Sequence, residues 1–357
     1  MKKENSGQKQ LCVALVFNLQ RKHANHERNY IETEYDSEDV ILGIKDALEL
    51  SGHKVILIEA NRNVIENIKT NCRQIDIVFN IAEGLNGEGR ESLVPCVLEM
   101  LGIPYVGSGP VTMAITLDKA RTKEILLHNG IPTPPYQVFN STNEKLNENL
   151  HFPLIVKPVA EGSSIGITSE SVVQDESALR LQVDFVLKTY KQAALVEKFL
   201  PGREFTVGIL GNEKPHIMPI LEIYLDKYGH SDGAHTLEDK FVVGRDENSG
   251  VPKNLSIKLR NRIKEFALQT YRVLDCRDFS RIDIRCDKDN EPYVLEVNPL
   301  PGLNPKAADP SYFVKTARLA GMGYAEMINE VLNAALKRHN IDAGMRMQEF
   351  ARELQTQ

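Results

Sequence analysis

No apolar run in these 357 residues approaches the ~20 that a membrane helix needs. A helical membrane protein is therefore excluded. Cysteine is scarce: Cys12, Cys72, Cys96, Cys276 and Cys286 are odd in number and scattered, without metal-ligand pair spacing. Several lie in apolar runs and read as small buried side chains, so a reducing cytoplasm is the expected setting. Histidine offers no helical zinc pair, and His23 and His26 sit in a polar stretch. Basic charge is not in excess. Lys plus Arg number 43 against 49 acids, a net −6, which argues against a general nucleic-acid surface. The polar start lacks the apolar core of a secretion signal. Gly107-Ser108-Gly109 lacks the spacing of a hydrolase elbow, and no Walker A loop is present. There is no internal repeat. What is there is ordinary for a soluble globular enzyme, 42% hydrophobic and 26% charged, long enough for two or three domains.

The first hundred residues alternate strand-like and helix-like patterns. Residues 11–17, 54–58 and 75–79 read as strands; 39–50 and 91–101 read as helices. That alternation points to a small parallel sheet covered by helices. A breaker-rich stretch, 104–110, marks a boundary. A single helical pattern runs over 113–129 and stops at Gly130 and Pro132. Mixed elements follow, with strands at 154–157, 165–169, 195–199 and 205–210, a long helix at 255–274 and a last one at 324–339. The units expected are 1–110, 111–204, 205–342 and a polar tail, 343–357.

The strongest signal lies near the C-terminal end. Arg281, Asp283 and Arg285 alternate with Ile282 and Ile284, and Glu296 and Asn298 alternate with Leu295 and Val297. Side chains on a strand alternate between faces, so two polar faces result. The short polar turn at 287–290 makes a hairpin of them. Asp283, Glu296 and Asn298 then converge, a few hard oxygen donors that suit Mg²⁺ also held by phosphates.

Upstream, a strand delivers Lys157, and Glu161-Gly162-Ser163-Ser164-Ile165-Gly166 follows. Small residues let backbone N–H groups approach phosphate oxygens, and a lysine adds a point charge. A glycine hairpin with a surface lysine accounts for the loop equally well. Lys119, on a helix, could reach the same phosphates or be a solvated charge. The apolar stretch around Glu197, Lys198 and Leu200 bends at Pro201-Gly202 and continues through Glu204. It could receive a flat base and ribose hydroxyls, or be a plain strand–turn–strand. The 80–91 segment joins glycines and charges to a helix N-terminus, fit for a bound carboxylate or for a simple cap.

In this order and at these spacings the motifs resemble the ATP-grasp superfamily, and more closely the D-alanine–D-alanine ligase family, over about 78–324. The resemblance implies an ATP-grasp α/β fold: a small parallel N-terminal α/β domain, then two α+β subdomains enclosing ATP. It implies that Lys119 and Lys157 bind ATP phosphates while Ser163, Ser164 and Gly166 close over them. Glu197, Lys198 and Leu200 would line the adenine, and Glu204 the ribose. Asp283, Glu296 and Asn298 would hold two Mg²⁺, with Mn²⁺ as a substitute. Arg281 and the backbone at Gly302 would stabilise an oxyanion. Lys240 is similar to a mobile-loop lysine that reaches the γ-phosphate, and Ser311 to a serine that binds the second substrate. The partners implied are small amino-acid substrates and a second copy of the chain, with no nucleic acid or membrane.

The departures fall in substrate-binding parts. The family's glycine-rich turn after the first strand is missing, and Glu34 or Glu32 takes the place of its amine-binding glutamate. Glu83 stands where a histidine is common, Phe241 where a tyrosine is usual, and Tyr312 is larger than the usual neighbour of Ser311. The expected function is ATP-dependent dipeptide formation through an acyl phosphate, D-alanyl-D-alanine by default. The alternatives are a ligase for another amino or hydroxy acid, and a non-catalytic ATP-binding module.

Overall fold

The computed structural model describes residues 10–21, 30–225, 247–307 and 310–341. Lys240, Phe241 and the expected tail lie outside the described residues.

Strands β1 (Cys12–Phe17), β2 (Lys54–Glu59), β3 (Ile77–Asn80) and β4 (Tyr105–Val106) form a parallel sheet in the order β2-β1-β3-β4. A parallel strand with helices on both sides must be apolar on both faces. In β1, Val13 and Leu15 enter one core and Ala14 and Val16 the other, all fully buried. Helix α1 (Glu38–Leu50) covers the first face; α2 (Val64–Asn71) and α3 (Leu93–Met100) cover the second.

The helical pattern over 113–129 is two helices, α4 (Pro110–Leu117) and α5 (Lys119–His128). Asp118 breaks it. Its backbone is extended, and its carboxylate accepts hydrogen bonds from the N–H groups of Ala120 and Arg121 at 2.9 and 3.0 Å. An N-cap aspartate is indistinguishable from a helix-surface charge in the sequence, which is why the break was hidden.

A second, antiparallel sheet has the order β5-β8-β6-β7: β5 (Tyr136–Phe139), β8 (Ala194–Lys198), β6 (Leu154–Pro158) and β7 (Val172–Val173). Helix α6 (Glu176–Tyr190) seals its apolar face with Leu179, Val183 and Val186. No strand forms at 165–169; the return to β6 comes at β7. Ser163, Ser164 and Gly166 all take positive φ, and Thr168 caps a 3₁₀ turn, Ser169–Ser171, so the loop runs on.

The third sheet has the order β12-β11-β9-β13-β14, with β10 on β9. Its strands are β9 (Glu204–Leu210), β10 (His216–Ile217), β11 (Leu221–Ile223), β12 (Ser249–Gly250), β13 (Phe279–Cys286) and β14 (Pro292–Asn298). Helix α7 (Ile257–Val273) packs on it through Leu259, Ile263 and Ala267. Leu126 of α5 and Ile131 share that core. The helix pair thus packs on the large sheet, while Tyr136 Oη donates to the Ala120 carbonyl and Lys123 pairs with Glu197 of the small sheet. Helices α8 (Tyr312–Leu319) and α9 (Tyr324–Arg338) return to the first domain, where Val331 and Leu332 share a core with Ile44 and Leu48. No helix among the described residues is long and apolar enough to cross a membrane.

Candidate active site

The three sheets enclose a cleft of about 430 Å³. Its large-sheet wall is the β13–β14 hairpin, in which Arg281 pairs with Asn298 and Asp283 with Glu296 across the strands. Ile282 and Ile284 are fully buried behind it. One detail corrects the alternation expected from sequence. A β-bulge lets the register step from Asp283–Glu296 to Ile284–Val294, so Leu295 is the extra residue. Val294 takes the core place, and Leu295 lines the cleft.

Cations from other elements meet the acids of this wall. Arg281 donates to both oxygens of Asp283, at 3.0 and 2.8 Å. Thr206 Oγ1 and Asn298 Nδ2 also donate to that carboxylate, at 2.6 and 3.1 Å. Lys119 Nζ lies 3.0 Å from Glu296 and donates to the Glu161 carbonyl. Burial alone would raise the Glu296 carboxyl, but the ammonium groups of Lys119 and Lys157 hold it down to about 2. Arg285 pairs with Glu204 at 3.3 Å.

The small-sheet wall carries Lys157 and Glu197. Lys157 Nζ is 2.5 Å from one Glu197 oxygen, and Lys123 Nζ is 2.9 Å from the other. Lys123 also donates to Thr133 Oγ1 at 2.7 Å, and Thr133 to the Val294 carbonyl at 2.8 Å. Burial works against the Glu197 carboxylate, yet the two ammonium groups keep it ionised, down to about 2. Burial outweighs Glu197 at Lys123, which falls to about 8. Sequence reading missed Lys123. The available signal was its place one turn after Lys119 on the same helix face.

The sequence-predicted residues converge almost completely. Glu34, Glu83, Lys119, Lys157, Ser163, Ser164, Glu197, Lys198, Leu200, Glu204, Arg281, Asp283, Glu296, Asn298, Gly302, Ser311 and Tyr312 all line the cleft. Gly166 is not among its lining residues. Its φ is +79°, and an added Cβ would fall 2.4 Å from the Pro158 ring, so it turns the loop. Ser311 Oγ accepts from the Asn304 N–H at 2.9 Å, and Tyr312 lies under the Arg281 guanidinium, 5.7 Å from it to the ring centre.

The N-terminal domain closes the remaining end. Glu34 and Arg90 form a buried pair at 2.5 Å, and Arg90 also reaches Glu161 at 3.3 Å. Asp36, Glu83 and Glu91 line this end with them. Burial pushes Asp36 up to about 7. Burial first, and then the Glu34 carboxylate, raise Glu91 to about 8; Glu83 is raised well above the usual range, by burial and then by Glu91.

The family model described as the D-Ala–D-Ala ligase C-terminus matches residues 125–333. The chain belongs to the D-alanine–D-alanine ligase family. It is 32% identical over 305 residues to a D-alanine–D-alanine ligase of Pelotomaculum thermopropionicum, covering 82% of this chain and 90% of that one. A protein of Sinorhizobium fredii named y4sG, described as uncharacterized, is 33% identical over 299 residues, 82% of this chain and 86% of that one. The crystal structure of the Bacillus anthracis D-alanine–D-alanine ligase complexed with ATP matches with a TM-score of 0.69 at 25% identity. The match covers 92% of this chain and 99% of that one. The fold is therefore ATP-grasp, and membership of this ligase family makes the chain an enzyme.

The donors of the hairpin fit Mg²⁺ by their chemistry. Two carboxylates and an amide oxygen are hard ligands on one face of a rigid ladder, with room for phosphate oxygens to complete the set.

Proposed function

We propose that this protein is an ATP-dependent ligase that joins a carboxylate to an amine through an acyl phosphate, with D-alanyl-D-alanine the product its family favours. The observation that carries the reading is a single cleft in which the Asp283–Glu296 pair faces Lys119 and Lys157.

A carboxylate acylates poorly because its leaving group would be oxide. Its oxygen instead attacks the γ-phosphorus of ATP, breaking the bond to ADP. The resulting acyl phosphate has phosphate as its leaving group. The amine then attacks the carbonyl carbon, loses a proton and expels phosphate. Lys119 and Lys157 would neutralise charge on the transferring phosphoryl group. Asp283, Glu296 and Asn298 would hold Mg²⁺, two ions in this reading with Mn²⁺ as a substitute, which adds electrostatic stabilisation of phosphate oxygens. Arg281 and the Gly302 N–H would stabilise the oxyanion. Ser163 and Ser164 would cover the phosphates, and Lys198 and Leu200 the adenine, with Glu204 on the ribose. Glu197 supports the adenine end while locked to two lysines. Lys240 would reach the γ-phosphate, and Phe241, Ser311 and Tyr312 would shape the acceptor pocket. A cytoplasmic homodimer completes the reading.

The test is Mg²⁺-dependent phosphate release from ATP with D-alanine, then with other D- and L-amino acids and D-lactate, with products identified by mass. Phosphate release with formation of an amide or ester product supports the ligase. ATP binding without phosphate release for every substrate supports a non-catalytic module instead.

A further inference from the structure

The ligase reading of the cleft leaves three carboxyl groups at its N-terminal end without a partner. Glu34 is paired with Arg90. Among the described residues, no hydrogen bond or ion pair reaches the side chains of Asp36, Glu83 or Glu91, although all three line the cleft. Glu91 is only 8% exposed. Arg90, the nearby guanidinium, is turned to Glu34, Glu161 and the Ala160 carbonyl. The Tyr35 hydroxyl, which could have donated to an acid, donates to the Gly84 carbonyl at 3.0 Å.

Asp36 and Glu83 are half-buried, and leaving Glu91 buried without a partner is costly unless a ligand brings the missing cation or donor. One ammonium group, all that alanine carries, does not match three such acids. Val40 and Ile81, next to this set in sequence, also line the cleft and are buried apolar groups against which methylenes can lie. A rim of carboxyl groups around an apolar patch, able to ionise against a bound cation, is the complement of an alkyl chain ending in a cation.

We propose that this end of the cleft binds an amino acid carrying a second cationic group, of the ornithine or lysine kind, in preference to alanine. The inference rests on the ligase reading and narrows it: the basic amino acid is the carboxyl donor, its additional cation held by Glu83 and Glu91. The bond-making steps are unchanged.

Calorimetric titration of the full chain, with Mg²⁺ and a non-hydrolysable ATP analogue, tests this directly with lysine, ornithine and alanine of either hand. The expected result is binding of a basic amino acid about tenfold or more tighter than alanine of the same hand. In Glu83→Gln and Glu91→Gln that ratio should shrink severalfold, with thermal melting used to verify that the variants are folded. Alanine binding as tightly as the basic amino acids in the parent protein overturns the proposal. A ratio unchanged in both folded variants does so too. Alanine-dependent dipeptide synthesis without a preference for basic residues would leave the ligase reading standing and remove this one. Absence of phosphate release with every substrate would remove the ligase reading, while the binding ratio would still decide whether the acidic end recognises a dication.

Discussion

At the scale of single residues, Glu296 is the group on which the cleft converges. It is held as a carboxylate by Lys119 and Lys157 and stands opposite Asp283 in the hairpin. Glu296→Ala should cut substrate-dependent ADP release by ~1000-fold or more while leaving the melting temperature near that of the parent. Normal turnover in the folded variant would refute the metal assignment. Lys123 is a positioning residue: fully buried, it fixes Glu197 and ties α5 to β14 through Thr133. Lys123→Met should cost ~2–3 kcal/mol, because a buried pair loses one partner. It should also raise the KM for ATP more than it lowers kcat, as steady-state kinetics would show. Asp36 behaves in the opposite sense. Its carboxyl rises from 3.8 to about 7 on burial, so its favourable contribution is complete below 3.8 and is lost as pH climbs through 7. Asp36→Asn should therefore be more stable than the parent by ~1–2 kcal/mol at about pH 8 and no more stable near pH 4. Melting curves across that range check the sign.

At the scale of elements, what was legible in the sequence was alternation and what was hidden was punctuation. The faces of β13 could be read because Ile282 and Ile284 alternate with Arg281, Asp283 and Arg285, and the fold places them accordingly. The bulge at Leu295 could not be read, since one extra residue in a ladder leaves no mark on composition. The break at Asp118 was hidden for a similar reason. It matters because it starts α5 at Lys119 and so aims that lysine at Glu296. Asp118→Ala should lose ~1 kcal/mol in denaturant unfolding, the usual value of an N-cap, and should weaken ATP binding by loosening Lys119. The returning strand expected at 165–169 does not form because three positive-φ positions within four residues, Ser163, Ser164 and Gly166, keep the loop turning. The pairings of Lys123 with Glu197 and of Arg90 with Glu34 join elements far apart in sequence, so no local pattern announces them.

At the scale of the whole molecule, the cleft depends on parts that the chain lays down at opposite ends. Helix α9 packs on α1, and Asn329 Nδ2 donates to the Ala47 carbonyl at 3.0 Å. A polar joint ties the first sheet to the large one. Asp278, fully buried, accepts from Arg338 at 2.6 Å and from the Gly107 N–H at 2.8 Å, and Arg338 also donates to the Tyr105 carbonyl. Asp278→Ala would strand a guanidinium and an N–H, and should cost ~3 kcal/mol in one cooperative unfolding transition. If the joint does not couple the domains, calorimetry would instead show the first domain unaffected.

The central claim is that a substrate carboxylate is activated as an acyl phosphate inside this cleft. A carboxyl group labelled with heavy oxygen reports on it directly, using alanine and a basic amino acid as donors. The account predicts that phosphate released during amide formation carries one labelled oxygen, because the carboxylate oxygen that attacks phosphorus leaves with it. Phosphate released without label, while the amide forms, would contradict it.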